Sequence, residues 1–441
     1  MGSNHGDNLA CFGGTPEMDW RKLVEAPLLD QSDAETAYEI VRTRQFEPVN
    51  GRHNLALHEE WADYFAARHC LTVWSGNAAL QLALIGAGIG PRDDVLVPAL
   101  TFTATASAVT RIGARPIFVD VWPDTYEIDV RDAEQKLTPS TRAIIPVHCH
   151  GLPCDMDRVS NFARAHTIEV IEDVAQAPGA TFDGLQMGSW GLVSTFSNSR
   201  GKPVMGGAGG LLITDDDRAW QRIRRFASQG EDRPARSLQA DEHRAYRCTT
   251  VPCDNMRMPE HTAALVRGQL ARLDGYLDRS RENAAILTDA LWMIPGLVPP
   301  IVPVGRESAW TYFRVGLDHD GLDWSGDAVR ARDNIIWALF AEGVPVTTWL
   351  LHGLDRQPGF RRRPDGLLLP IDPESCPVTQ GALDGSFVLG AAPYMLQVQT
   401  PEGIASIVRA VQKVFEPSAI RRVLAAEHHP LAVVPAAGDD E

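Results

Sequence analysis

The sequence predicts an α/β fold: a large domain with a mostly parallel sheet flanked by helices, then a smaller C-terminal α+β domain. Three observations carry this. Between residues 57 and 214, short apolar runs alternate with amphipathic helical patterns, the rhythm of βα units. The runs are continuously apolar, as in strands covered on both faces. Beyond a proline-rich link, "PGLVPPIVPVG", the elements become shorter and mixed.

The elements follow in order. Residues 1–50 read as a loop-rich lead with one helix, "DAETAYEIVRTRQF". "LALHEEWADYFAARH" carries apolar residues at helical spacing. "CLTVWSG" is a strand ending in a turn, and "NAALQLALIGAGI" a helix. "DVLVPA", "TFTATASAVTRIG" and "RPIFVDV" give strand, helix, strand. "RAIIPVHCH", "MDRVSNFARAHT", "IEVIEDVA", "VSTFSN" and "GGLLITDD" continue the alternation. "MPEHTAALVRGQLARLDGYLDRSRENAAILTDALWMI" reads as one long helical stretch that closes a large domain over 51–290. A small domain over 291–416 contains "TYFRVGLD", "AVRARDNIIWALFAEGV" and "PEGIASIVRAVQKVF". Residues 417–441 read as a disordered tail.

Bulk properties exclude several function classes. A chain of 441 residues suits two domains. A net charge of −16 argues against nucleic acid and against anionic membrane surfaces. Seven scattered cysteines are no disulfide framework and fit a reducing cytoplasm. The first residues lack a signal-peptide pattern, and the longest apolar run is too short to span a bilayer.

The cations are unevenly chosen. Of 41 Lys+Arg, only four are lysines: Lys22, Lys136, Lys202 and Lys413. Arginine stays protonated, whereas lysine can become a neutral nucleophile. Lys202 stands between an apolar run and a glycine cluster, in "STFSNSRGKPVMGGAGGLLIT". A lysine kept where arginine is the habit points to use of its amine.

In open α/β sheets, ligands lie beyond the carboxyl ends of the strands. The residues at those ends are Ser75-Gly76-Asn77, Thr101-Phe102, His148-Cys149-His150, Asp173 to Gln176, and Ser197 to Lys202. Each has a structural reading of its own: a capped helix start, a core aromatic, a turn carboxylate. The Gly76-Asn77 turn could instead hold a phosphate on backbone amides. Asp173 could keep a ring nitrogen protonated while Gln176 meets a neighbouring oxygen, and Phe102 offers a flat face for stacking. The rival is metal at His148, His150, Cys149 and Cys154, but no second ligand pair appears. Phosphate turn, stacking face, acid and amine together describe pyridoxal 5′-phosphate (PLP).

From about residue 9 to 415 the chain resembles the DegT/DnrJ/EryC1/StrS family of fold-type I PLP enzymes, the sugar and cyclitol aminotransferases. The motifs "GPRDDVLVPALTFTATASAV", "GARPIFVDV", "TRAIIPVHCHG", "DMDRV", "IEDVAQAPGA", "FSNSRGK" and "DNMRM" stand in family order, and "LACFGGTP" is similar to leaders of the cyclitol and aminohydroxybenzoate-synthase branches. The resemblance implies that Lys202 is the Schiff-base lysine. Asp173 is then the partner of the pyridine nitrogen, Gln176 the contact to the ring hydroxyl and Phe102 the stacking aromatic. Gly76 and Asn77 match the phosphate turn, Ser197 the phosphate hydroxyl, and Asn255 the asparagine that reaches the phosphate of a neighbouring subunit. A homodimer with shared active sites follows.

Two departures stand out: Ala208 where the family often has Glu after the lysine loop, and Asn198 where it has Phe. The implied activity is transfer of an amino group from Glu or Gln to a keto-sugar, cyclitol ketone or related intermediate, in natural-product (antibiotic-type) biosynthesis. The alternatives are a PLP-dependent dehydratase or aromatising enzyme of the aminohydroxybenzoate-synthase type, and a non-catalytic partner subunit. Arg200, His148, Trp310, Trp349 and His352 are candidates for substrate contact.

Overall fold

A computed structural model describes residues 8–48, 51–227, 254–361, 372–390 and 392–431. Helices α1 (Gln31–Thr43) and α2 (Arg52–Tyr64) come first. α1 starts at a reciprocal cap, in which Asp30 and Asp33 each accept the other's backbone N–H. Strands β1 (His69–Val73), β2 (Asp94–Pro98), β3 (Arg115–Val119), β4 (Thr141–Ile144) and β5 (Glu169–Asp173) follow. Between them lie α3 (Gly76–Gly86), α4 (Thr103–Arg111), α5 (Val130–Gln135) and α6 (Met156–His166). A short hairpin, β6 (Thr181–Phe182) and β7 (Leu185–Gln186), leads to β8 (Val193–Ser197) and β9 (Gly210–Thr214).

Seven strands form one sheet in the order β1-β9-β8-β5-β4-β2-β3. The neighbours from β8 to β3 pair in parallel, while β9 runs antiparallel to β8 and β1. The mostly parallel sheet is therefore present, with one reversed strand. A parallel partner needs a crossover, usually helical. The loop between β8 and β9 has no helix, so the chain turns back. In β2, Leu96 faces one core while Val95 and Val97 face the other. In β9, Leu211 and Ile213 split from Leu212 in the same way. Burial on both faces is why these strands read as continuous apolar runs.

After α7 (Asp217–Ala227), the long stretch read as one helix is two: α8 (Glu260–Leu270) and α9 (Leu273–Trp292). α9 belongs to two cores. Leu273 and Leu277 pack under the large sheet; Ala284, Leu287 and Leu291 enter a second core. That core lies on an antiparallel sheet of β10 (Leu297–Val298), β12 (Phe313–Leu317), β14 (Ser386–Leu389) and β13 (Val346–Thr347). β11 (Arg306–Glu307) instead pairs with β6. The covering helices are α10 (Ala328–Ala341), α11 (Pro377–Asp384), α12 (Pro401–Val414) and α13 (Pro417–Ala425).

α13 corrects the expected tail. Residues 417–425 are helical, started by Pro417 and by the Glu416 side chain, which accepts from Ser418 N and Ala419 N. Ile420, Val423 and Leu424 are buried in the second core. Each contributes about 1.5–3 kcal/mol, enough to order a short helix on an existing surface. Residues 432–441 lie outside the described residues. The lead is also tied in: Leu9, Met18 and Leu23 share the second core. Fully buried Glu342 accepts from Ala10 N and Glu17 N and pairs with Lys413 at 2.8 Å.

Candidate active site

The site forms where β1, β2, β5 and β8 end. Asp173 is the last residue of β5 and is 5% exposed. Its Oδ2 accepts from Thr105 Oγ1 at 2.9 Å and its Oδ1 from Ala175 N at 3.1 Å. Both oxygens are oriented, and α4 is held against the end of β5. Phe102 caps that helix, and its ring is 52% exposed, an open face beside the acid.

Gly76 and Asn77 open α3, whose first-turn amides have no intrahelical acceptor. Ser75 caps the helix by accepting from Ala78 N at 3.1 Å. Asn77 Nδ2 donates to Ala104 O at 3.1 Å, tying α3 to α4. A Cβ at Gly76 would lie 2.7 Å from Ser197 Cβ, so the turn and the Ser197 hydroxyl meet only because residue 76 is glycine.

Lys202 lies on the loop after β8, half-buried. Among the described residues its Nζ makes no hydrogen bond or ion pair, whereas Lys136 pairs with Asp132 and Lys413 with Glu342. Burial pushes the Lys202 amine below the ordinary lysine value; the nearby Asp173 carboxylate and Cys149 thiol oppose this without cancelling it. The loop is built to hold the amine there. Asn198 is fully buried, donating from Nδ2 to Val204 O at 3.2 Å while its backbone carbonyl accepts from Gly206 N. The departure at 198 thus staples the loop across its own span. Gly201, at φ 85°, places its carbonyl to accept from Tyr312 Oη at 3.1 Å. Ala208 is exposed, and nothing in the structure explains the missing carboxylate.

Gln176 is 2% exposed, and its Oε1 accepts from His150 N at 2.8 Å. A backbone N–H requires an acceptor, so this bond fixes which end of the carboxamide faces it. Nε2 is left to donate elsewhere.

Asn255 lies apart. It is exposed, and its Oδ1 accepts from Arg257 Nε at 2.6 Å. Of the other candidates, Arg200 and His352 are exposed. His148 is a structural group: fully buried, it pairs through Nε2 with Glu172 at 3.1 Å and accepts on Nδ1 from Cys154 N. Burial raises the Glu172 carboxyl, but hydrogen bonds from His148 and backbone amides outweigh this and leave it below its ordinary value. Trp349 meets His150 edge-on at 4.8 Å, and Trp310 stacks on Phe313 at 5.6 Å.

Sequence reasoning missed Thr105, Tyr312 and Arg314. His150 was noticed only as a metal ligand; among the described residues no His, Cys, Asp and Glu cluster could hold a metal. A small cavity of about 20 Å³ beside the lysine loop is lined by Tyr126, Cys149, His150, Trp310, Tyr312 and Arg314. Among the described residues no helix is long and apolar enough to cross a membrane.

The chain is similar to proteins of known activity. L-Glutamine:2-deoxy-scyllo-inosose aminotransferase of Micromonospora echinospora is 32% identical over 421 residues, covering 92% of this chain and 97% of that protein. GDP-perosamine synthase of Caulobacter vibrioides is 36% identical over 327 residues, covering 74% and 83%. The crystal structure of 3-amino-5-hydroxybenzoic acid (AHBA) synthase superposes with a TM-score of 0.78 at 25% identity, over 91% of this chain and 99% of that one. DesV of S. venezuelae superposes with a TM-score of 0.75 at 28% identity, over 89% and 99%. The architecture is that of fold-type I PLP-dependent transferases. The profile of the DegT/DnrJ/EryC1/StrS aminotransferase family matches residues 27–412, and the chain belongs to that family.

Proposed function

We propose that this aminotransferase uses PLP to move an amino group from glutamine or glutamate to a keto-sugar, cyclitol ketone or related intermediate of natural-product biosynthesis. The observation that carries the reading is Lys202: an amine with no partner, depressed by burial, beside an oriented buried carboxylate.

The residues fit the cofactor. The α3 amides at Gly76 and Asn77, with Ser197 Oγ against them, would hold its phosphate. Phe102 would stack on the ring, Asp173 would face the ring nitrogen, and Gln176 Nε2 would donate to the ring oxygen. When bound, PLP supplies an aldehyde for an amine and a ring that accepts electrons. Lys202 would hold the cofactor through that aldehyde, and its amine would carry a proton at the substrate carbon. Asp173 would face the ring in a fixed orientation, because Thr105 and Ala175 hold both of its oxygens.

The likeness to the cyclitol aminotransferase, which spans nearly all of both chains, supports the donor and acceptor class. The exposed Asn255 supports a homodimer in which it reaches a neighbouring subunit's phosphate. Five free cysteines among the described residues support a cytoplasmic setting. The likeness to AHBA synthase favours one alternative, an aromatising elimination on the same scaffold.

The test is the absorbance of purified protein with PLP, before and after L-glutamine or L-glutamate, with Lys202→Ala alongside. A visible band that fades with one donor, and is absent or donor-resistant in the variant, supports transamination and names the donor. A band indifferent to every amino acid favours elimination. No band at all overturns both and leaves a non-catalytic partner.

A further inference from the structure

Among the described residues, buried arginine side chains have acidic partners, with one exception. Arg332, 2% exposed, pairs with Asp333 at 2.7 Å. Arg306 pairs with Glu127 at 3.1 Å and Asp155 at 3.6 Å. Arg314, on β12, is 1% exposed, and among the described residues no carboxylate pairs with it. Its Nε donates to His150 Nε2 at 2.9 Å, Nη1 to Ser386 Oγ at 2.6 Å and Nη2 to Thr348 O at 3.1 Å. These bonds leave two of the five guanidinium N–H groups unused. The groups nearest in character to an anion are the Tyr126 phenol and the Cys149 thiol, whose protons burial holds on.

His150 carries a matching vacancy. Because Nε2 accepts from Arg314, the ring proton sits on Nδ1, and Nδ1 is buried with no partner. The ring is held in this orientation by Tyr126, Tyr312 and Trp349, each edge-on to it. Its backbone sits at φ 59°, a left-handed conformation uncommon outside glycine. Both side chains line the cavity beside the lysine loop. Tyr312, in the same wall, is bonded to Gly201, the residue before Lys202. An unpaired buried cation and an unpaired buried donor are both unfavourable for folding. Their convergence on one cavity next to the reactive amine calls for a ligand that completes them.

We propose that Arg314 and His150 form a carboxylate-binding subsite beside Lys202. The free N–H groups of Arg314 and the Nδ1–H of His150 donate to the two oxygens, between the aromatic walls of Tyr312 and Trp310. The carboxylate comes from the amino-acid donor or from a carboxylated cyclic substrate; a neutral sugar or cyclitol ketone has no group for this position. The inference rests on the aminotransferase reading but predicts binding on its own.

The test uses the PLP-loaded protein and its tryptophan fluorescence, since Trp310 and Trp349 flank the pair. Wild type, Arg314→Gln and Arg314→Lys are titrated with glutarate, with neutral glutaramide and with quinate, a carboxylated ring. Glutarate is expected to saturate wild type, to bind Arg314→Gln at least about tenfold more weakly, and to recover in part with Arg314→Lys; a tenfold loss is what one charge-assisted pair supplies. Glutaramide should not distinguish the three proteins. Tighter binding of glutarate than quinate assigns the subsite to the donor, and the reverse assigns it to a carboxylated substrate. Equal glutarate affinity in wild type and Arg314→Gln overturns the proposal. Should Arg314→Gln not fold, equal affinity in Arg314→Lys, which keeps the charge but loses the fork, overturns it. A lost band response to amino donors with intact glutarate binding refutes the transaminase reading alone.

Discussion

Gly76→Ala isolates the contact on which the phosphate turn depends. The new Cβ would stand 2.7 Å from Ser197 Cβ and 3.0 Å from its Oγ. Carbon atoms in contact prefer about 3.5–4.0 Å, so α3 and the end of β8 must separate by about 1 Å. Gly76 sits in the first turn of a helix, not in a left-handed turn, so the backbone admits alanine and sterics alone decide. Overpacking of this kind costs about 1–3 kcal/mol. At about 2 kcal/mol the thermal midpoint falls by about 2–4 °C. The cost to function is larger in proportion. A displacement of about 1 Å parts the α3 amides from Ser197 Oγ, and PLP affinity should fall at least about tenfold. The assay is a double-mutant cycle with Ser197→Gly, which removes the opposing Cβ. Thermal melts and PLP titrations are recorded for all four proteins. The Gly76→Ala penalty should largely vanish in the Ser197→Gly background, giving a coupling energy of about 1 kcal/mol or more. An additive cycle would refute the reasoning, because residues 76 and 197 would then not touch.

Two further perturbations separate structural roles from site roles. His148→Ala removes the partner of fully buried Glu172 and should destabilise by about 3–5 kcal/mol, while at low temperature the visible PLP band stays as in wild type. A lost band in a well-folded variant would move His148 into the site. Lys202 should also show itself through pH. Its folded value is depressed, so between that value and the ordinary lysine value of about 10.4 the unfolded chain holds a proton the native chain has shed. Stability of the cofactor-free protein therefore rises with pH across that window. Chemical denaturation against pH should show the rise in wild type and its loss in Lys202→Met; identical slopes would argue that the amine is not buried.

The strand ends were legible because each follows an apolar run, and period alone locates such runs. Asp173, Gln176, Phe102, Ser197 and Lys202 all lie where those runs stop. The reversal at β9 carried a signal that was passed over: no helical pattern separates "VSTFSN" from "GGLLITDD". The tail was misread because its composition is alanine- and proline-rich, although Ile420, Val423 and Leu424 keep helical spacing after Pro417. Asn198 looked like a lost aromatic and is instead the staple of the lysine loop. The pairing of His150 with Arg314 had no local signal at all. The two residues are 164 positions apart, and only the packing of β12 against the large domain brings them together. Solitary charge is a property of surroundings, and composition does not reveal it.

The second core has an implication for synthesis on the ribosome. Leu9, Met18 and Leu23 are made about 400 residues before Ile404, Val411 and Val423, yet they share one core with them. At ordinary elongation rates the early segment waits on the order of tens of seconds for its partners. The large sheet can assemble in that interval, with the amino end still loose and greasy beside it. Glu342 and Lys413 then fasten that end once α12 exists. A chain cut short before α12 would leave the segment of Leu9, Met18 and Leu23 without its partners, so the small domain closes only when α12 has been made.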